Sequence, residues 1–155
     1  ELQYLIDNDI KDKGEFQLTN ALENMKNKGL DFTTGEVEEW LDCGNKDATV
    51  YTCERILHHN ANFDSNDDVK IIESKIIQPC YIGAGSTIEN STIGPNVSVG
   101  VNTKIKNSNI SSAIVQDNSN LENADINNSM IGNYVWFDGK NIKQEVSIGD
   151  FCEIK

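Results

Sequence analysis

Between Ile71 and Ile154 apolar residues recur at steps of five or six, a period that belongs neither to a helix nor to an alternating strand. They fall into three interleaved rows. One row is Ile76, Ile93, Ile110, Ile126 and Ile142; the second is Ile82, Val99, Val115, Ile131 and Ile148; the third is Ile88, Ile105, Leu121, Phe137 and Ile154. Within a row the repeat is 16 or 17 residues. A coil with three short strands per lap meets this spacing, because each side then contributes one inward residue per lap to a continuous column. The rows therefore predict a mainly β chain: a parallel β-helix of about five coils, of the hexapeptide-repeat kind.

The turns carry a second regularity. From the third row to the next lap the step is always five residues, and the second residue after the apolar one is Asn90, Asn107, Asn123 and then Gly139. Asn and Gly tolerate positive φ best, so one corner is expected to turn through a left-handed residue at each lap. Ile-Gly pairs at 82–83, 93–94, 131–132 and 148–149 predict further tight corners. Gly83-Ala84-Gly85-Ser86-Thr87 is one such corner rather than a phosphate-binding loop, since it holds neither arginine nor lysine.

Composition narrows the function. The net charge is −12 and Arg55 is the single arginine, so no basic surface for nucleic acid or an anionic membrane is expected. No run of 18 apolar residues offers a membrane span. An apolar content of 37% is low for a globule but suits the thin core of a solenoid. Cysteines at 43, 53, 80 and 152 match no zinc or CxxC spacing and read as free thiols of a cytoplasmic protein. His58 and His59, the only histidines, are adjacent and point about 100° apart on a helix, which suits a helix terminus better than a metal site.

Ahead of the coil, the pattern predicts a helix over residues 1–12 ending near Gly14, and a second over 18–28 with Thr19 as N-cap and Gly29 as C-cap. Short strands follow over 31–34 and 36–41, then a helix over 46–59 capped by Asn45. Residues 60–68 are polar and turn-rich. The domains are therefore expected at 1–64, the C-terminal end of an incomplete α/β domain, and 69–155, the β-helix. The first cannot pair its strand edges, so earlier strands are expected outside this sequence.

Gly14-Glu15-Phe16-Gln17-Leu18-Thr19, followed by Trp40-Leu41-Asp42-Cys43-Gly44, resembles the end of the catalytic domain of sugar-phosphate nucleotidyltransferases, the glucose-1-phosphate thymidylyltransferases among them. Many of that family carry a hexapeptide-repeat β-helix after that domain, and the resemblance implies a left-handed coil. It also implies a reaction of a nucleoside triphosphate with a sugar-1-phosphate, giving a nucleotide-sugar and pyrophosphate with Mg2+. Asp42 matches the family's magnesium ligand; without the resemblance it reads as a turn aspartate before a helix. Glu15 and Trp40 either shape the sugar site or serve packing and capping. Cys43 stands where thymidylyltransferases often have Thr, and Asn20 where many relatives have Asp, which leaves base and sugar open. The family's Gly-rich phosphate loop with Arg and Lys is not in this sequence, nor is its sugar-binding Glu-Lys-Pro segment. No catalytic residue is therefore expected here, and the chain alone is expected to be inactive.

Two other functions compete. Acetyl-coenzyme A-dependent acyl transfer is common on such coils, but it wants a general base such as histidine, and none follows His59. A purely structural role is the other: the coil would assemble into a homo-oligomer, a trimer by closed symmetry, or pack against the catalytic domain. Val99-Gly100-Val101 and Tyr134-Val135-Trp136 are the expected contact clusters.

Overall fold

The three apolar rows become three faces of a parallel β-helix, each row pointing inward from its own face. This is seen in a computed structural model that describes residues 1–60 and 68–155. One face is a six-stranded parallel sheet of Lys70–Ile72, Thr87–Glu89, Lys104–Lys106, Asn120–Glu122, Trp136–Asp138 and Glu153–Ile154. Its register stacks Ile71, Ile88, Ile105, Leu121, Phe137 and Ile154. The other two faces share the strands Asn109–Val115 and Asp125–Ile131, which run unbroken round one corner through Ser112 and Asn128 at φ 42° and 46°. Ile88, Ile93, Val99, Ile105, Ile110, Val115, Leu121, Ile126 and Ile131 are each at most 1% exposed. Stacking one aliphatic side chain on the next is what keeps a core only one residue wide dry.

The register departs from the sequence reading at one point. Ile142 is 61% exposed, and Gln144 takes its place beside Ile126. Lys140 and Asn141 are both left-handed, at φ 53° and 57°, and the Ile142 amide closes a turn onto the Gly139 carbonyl at 3.0 Å. That turn consumes two extra residues and throws Ile142 outward. Asn90, Asn107 and Asn123 do adopt positive φ at their corner (45°, 49° and 50°), but Gly139 does not. Glycine is needed there for room, since a Cβ would stand 2.7 Å from the Ala124 Cα. Gly83 is explained in the same way, a Cβ meeting the Gly100 carbonyl carbon at 2.6 Å.

A column that the apolar rows do not reveal runs inside the corners. Ser86, Thr103 and Ser119 are fully buried. The amides of Thr103, Ser119 and Val135 donate to the hydroxyl oxygens of Ser86, Thr103 and Ser119 at 3.0, 3.3 and 3.0 Å. Those hydroxyls donate in turn to the carbonyls of Gly100, Gln116 and Gly132 at 2.8, 2.9 and 2.8 Å. At a second corner the amides of Ser91, Ser108 and Ala124 donate to the hydroxyls of Ser74, Ser91 and Ser108. A corner amide has no strand partner, and left unpaired in the core it would cost about 1–3 kcal/mol.

The chain divides into two compact units, Glu1–Trp40 and Leu41–Lys155. The first holds α1 (Leu2–Asp7) and α2 (Leu18–Asn27). Helix α1 is shorter than expected, and α2 begins after Gln17, so Thr19 lies inside the helix rather than capping it. No strand forms over 31–41, because among the described residues nothing pairs with that stretch. Leu5 and Ala21 are buried in this unit, while Leu2, Tyr4, Ile6, Leu18, Leu22, Phe32, Val37 and Trp40 stand exposed. In the second unit α3 (Lys46–His59) lies on the coil and buries Val50 and Leu57. The boundary expected near 64 falls outside the described residues.

Two substitutions test the register. Ile110→Ala is expected to cost about 2–5 kcal/mol in denaturant unfolding, and Ile142→Ala within about 0.5 kcal/mol; equal losses would restore Ile142 to the column. For the hydroxyl ladder, Ser119→Ala should cost about 1–3 kcal/mol by orphaning the Val135 amide, whereas exposed Lys104→Ala should be nearly silent.

Candidate functional site

Asp42 stands on an exposed loop whose shape is dictated by α3. Asn45, in extended conformation, accepts the Ala48 amide on its side chain at 2.9 Å and so starts the helix. Two threonines on the helix then reach back. Thr52 Oγ1 donates to the Asp42 carbonyl at 2.7 Å, and Thr49 Oγ1 to the carbonyls of Asn45 at 2.8 Å and Cys43 at 3.3 Å. The Asp42 carboxylate accepts the Cys43 amide through Oδ1 at 2.8 Å. Its Oδ2 would lie 3.2 Å from a Cβ at position 44, which a glycine avoids. The loop thus fixes its backbone through the helix, and Oδ2 accepts no hydrogen bond among the described residues.

Helix α3 is itself anchored. Between the helix and the coil, a cavity of about 170 Å³ is lined by Cys53, Ile56, Leu57, Tyr81 and Ser98. Burial pushes the Cys53 thiol up, which makes it a poor nucleophile. At the N-terminal end Lys46 ion-pairs with Glu145, and with Asp47 at 2.9 Å, and donates to the Asn128 carbonyl at 2.9 Å. The Asn128 amide nitrogen donates to Asp47 Oδ1 at 2.9 Å and Glu145 Oε1 at 3.0 Å. Sequence reasoning missed this cluster, whose helix and coil members are 81 to 99 residues apart and carry no motif.

The other expected site residues lie in the first unit. Glu15 exchanges backbone hydrogen bonds with Asp12 at 2.9 and 3.0 Å, and its Oε2 accepts from Gln17 Nε2 at 3.3 Å. Trp40 is 82% exposed and packs into no core. Both positions leave the side chains available, and neither shows a built pocket. His58 and His59 are exposed in the last turn of α3, where a positive charge suits the helix dipole. All four cysteines are free, with Cys80 buried and Cys43 exposed.

Among the described residues no group of three or more His, Cys, Asp or Glu gathers as a metal site. A lone carboxylate still fits magnesium, which commonly takes one or two carboxylates and completes its shell with water and substrate phosphates. The expected contact clusters need correction: Val99 and Val135 are core residues, at most 1% exposed, because they occupy inward positions. What the second cluster does expose is Tyr134, stacked on Phe151 with ring centroids 5.1 Å apart.

The chain is similar to curated transferases. It is 29% identical to the "Bifunctional protein GlmU" of Clostridioides difficile (strain 630) over 96% of its own length, and 27% identical to the protein of the same name from Paraburkholderia phytofirmans over 92%. It is also 27% identical over 79% of its length to the "Glucose-1-phosphate thymidylyltransferase" of Streptomyces antibioticus. It spans 35–39% of the length of these relatives. No protein-family model matches it. No described helix is long and apolar enough to cross a membrane.

The charges that hold the start of α3 set a pH window. The Lys46 hydrogen bond, then that of Asn128, holds Asp47 below the usual carboxylate range. Its contribution is therefore present above the ordinary value of about 4 and lost as pH falls through the lowered one. Lys46 is raised, first by its hydrogen bond to Glu145, so its contribution is complete below about 10.4 and lost as pH rises through the raised value. The Asn128 side-chain amide resonances are expected to hold their positions from about pH 5 to 9 and to move toward those of a free amide only below about pH 4. A transition near neutrality would contradict the clamp.

Proposed function

We propose that the intact protein is a sugar-1-phosphate nucleotidyltransferase, that Asp42 is one of its magnesium ligands, and that the β-helix serves assembly. The observation that carries this reading is the Asp42 loop: an exposed carboxylate, its backbone tied at two carbonyls to the helix behind it, in a chain similar to a thymidylyltransferase across that segment. The exposed apolar side chains of α1 and α2 support it, since side chains of that kind are suited to burial against further chain. In the reaction a phosphate oxygen of the sugar-1-phosphate attacks the α-phosphorus of a nucleoside triphosphate. The bond from that phosphorus to the β-bridging oxygen breaks, and pyrophosphate leaves with the electron pair. Magnesium, when bound, neutralises the charge gathering on the phosphate oxygens.

What this chain supplies is positioning. The Asp42 carboxylate is held at a fixed angle by the Cys43 amide and by the Thr52 tie to its carbonyl. Glu15 and Trp40 are proposed to border the sugar. Arg55 is the single arginine, so this segment lacks the cationic phosphate loop and is not proposed to turn over alone. The four free thiols suit a reducing compartment, and the reading places the protein in the cytoplasm. Assembly is proposed as a homotrimer. Acyl transfer is the second reading; the name "Bifunctional protein" of two relatives leaves room for a second activity without saying which. It would need a carboxylate as base, because no histidine follows His59.

The test is pyrophosphate release by the full-length gene product, given glucose-1-phosphate and each nucleoside triphosphate in turn, beside its mass by light scattering. Magnesium-dependent release with one preferred triphosphate is expected, falling about a hundredfold or more in Asp42→Asn, and the mass should be that of a trimer. Consumption of acetyl-coenzyme A without pyrophosphate release would replace the first reading by the second. A monomer would sink the assembly role.

A further inference from the structure

The polar cluster beneath the start of α3 has no part in the chemistry above, yet it joins the β-helix to the loop that carries Asp42. Asn128 and Glu145 occupy the same corner in successive laps, two residues before the register pair Met130 and Ser147. Asn128 is left-handed there (φ 46°), a conformation asparagine accepts more readily than most residues. Its side-chain amide is doubly engaged, donating to Asp47 at 2.9 Å and to Glu145 at 3.0 Å, while its carbonyl receives Lys46 at 2.9 Å. One coil residue therefore grips two consecutive residues of the first helical turn by two hydrogen bonds, while Glu145 of the next lap braces its amide.

We infer that Asn128 is a positioning residue for Asp42. The inference rests on the reading of Asp42 as a magnesium ligand. The path is short and built of bonds already described. Asn128 fixes Lys46 and Asp47; these adjoin Asn45, whose side chain caps the helix; the helix then holds the Cys43 and Asp42 carbonyls through Thr49 and Thr52. A 14-residue helix is marginal alone, so its placement has to come from what it packs on. Val50 and Leu57 seat its length on the coil, but apolar contact tolerates sliding. The directional bonds at Lys46 and Asp47 remove that freedom at the end nearest Asp42. The corner that turns the coil inward thereby also sets the aim of a carboxylate on the neighbouring loop.

Asn128→Gly keeps the left-handed corner and deletes only the side-chain amide; Lys46→Met deletes the other limb and leaves the coil sequence untouched. Both would be made in the full-length gene product. Two readouts are compared: backbone amide exchange, and the magnesium dependence of pyrophosphate release. Each variant is expected to speed exchange at Cys43, Ala48 and Thr49 by about tenfold or more, with Ile105 and Leu121 unchanged as the control that the coil is folded. Each should also raise the magnesium concentration for half-maximal rate about 10- to 100-fold, with a smaller change in rate at saturation. Unchanged exchange at Cys43 and Ala48 in both variants overturns the inference, whatever the assay gives. Faster exchange with an unchanged magnesium requirement, in a protein that Asp42→Asn inactivates, overturns the positioning role and leaves Asp42 as ligand. If Asp42→Asn keeps its magnesium-dependent release, the reading of Asp42 falls and the inference falls with it.

Discussion

A coil that turns three times per lap must bury peptide groups at places where no neighbouring strand can receive them. Here the buried amides of Thr103, Ser119 and Val135 are met by hydroxyls of the preceding lap, and each hydroxyl passes its own proton to a carbonyl. The apolar columns supply the larger share of the stabilisation, but they are not directional: isoleucine on isoleucine would tolerate a lap sliding by some fraction of a residue. The hydroxyl ladder does not. It ties each lap to the one before it at the corners, where the strand ladders are interrupted, and so helps hold the register that lets the columns close.

The outside of the corners uses the same rigidity. Asp117, Asn133 and Asp150 each accept a backbone amide from the lap before, at 2.9, 3.1 and 2.7 Å. Asn128 turns another corner and, with its left-handed backbone already supported by the strands on either side, can offer both carbonyl and side chain to α3. The helix needs such a seat, and the loop bearing Asp42 needs the helix. Fold and candidate chemistry are thus linked by one small set of hydrogen bonds together with the apolar seat of Val50 and Leu57.

The rows were legible because a one-residue-wide core leaves each inward position almost no choice of side chain. Their failure at Ile142 was not legible, since two successive left-handed residues at Lys140 and Asn141 change the count without breaking the pattern of apolar letters. The hydroxyl column was present in the sequence at the same 16- or 17-residue spacing, as Ser86, Thr103 and Ser119, but serine and threonine read equally well as ordinary turn residues. The strands expected over 31–41 came from the break at Gly35 and the partial alternation of residues 37–41, which a stretch with no pairing partner among the described residues cannot realise. Asn45 as helix cap was readable from its position, whereas Lys46 and Asn128 meet only through tertiary structure. Asp42 stood out through its motif; nothing in the local pattern distinguishes it from a turn aspartate.

The central claim is that hydroxyls, acting as strand partners at the corners, hold the laps in register. Hydrogen exchange at the Thr103, Ser119 and Val135 amides measures this directly, because no backbone carbonyl accepts them. The account predicts protection within about tenfold of that at Ile105 and Leu121, as for groups that open only with the coil itself. Exchange at the rate of an open loop, with Ile105 and Leu121 still protected, would contradict it.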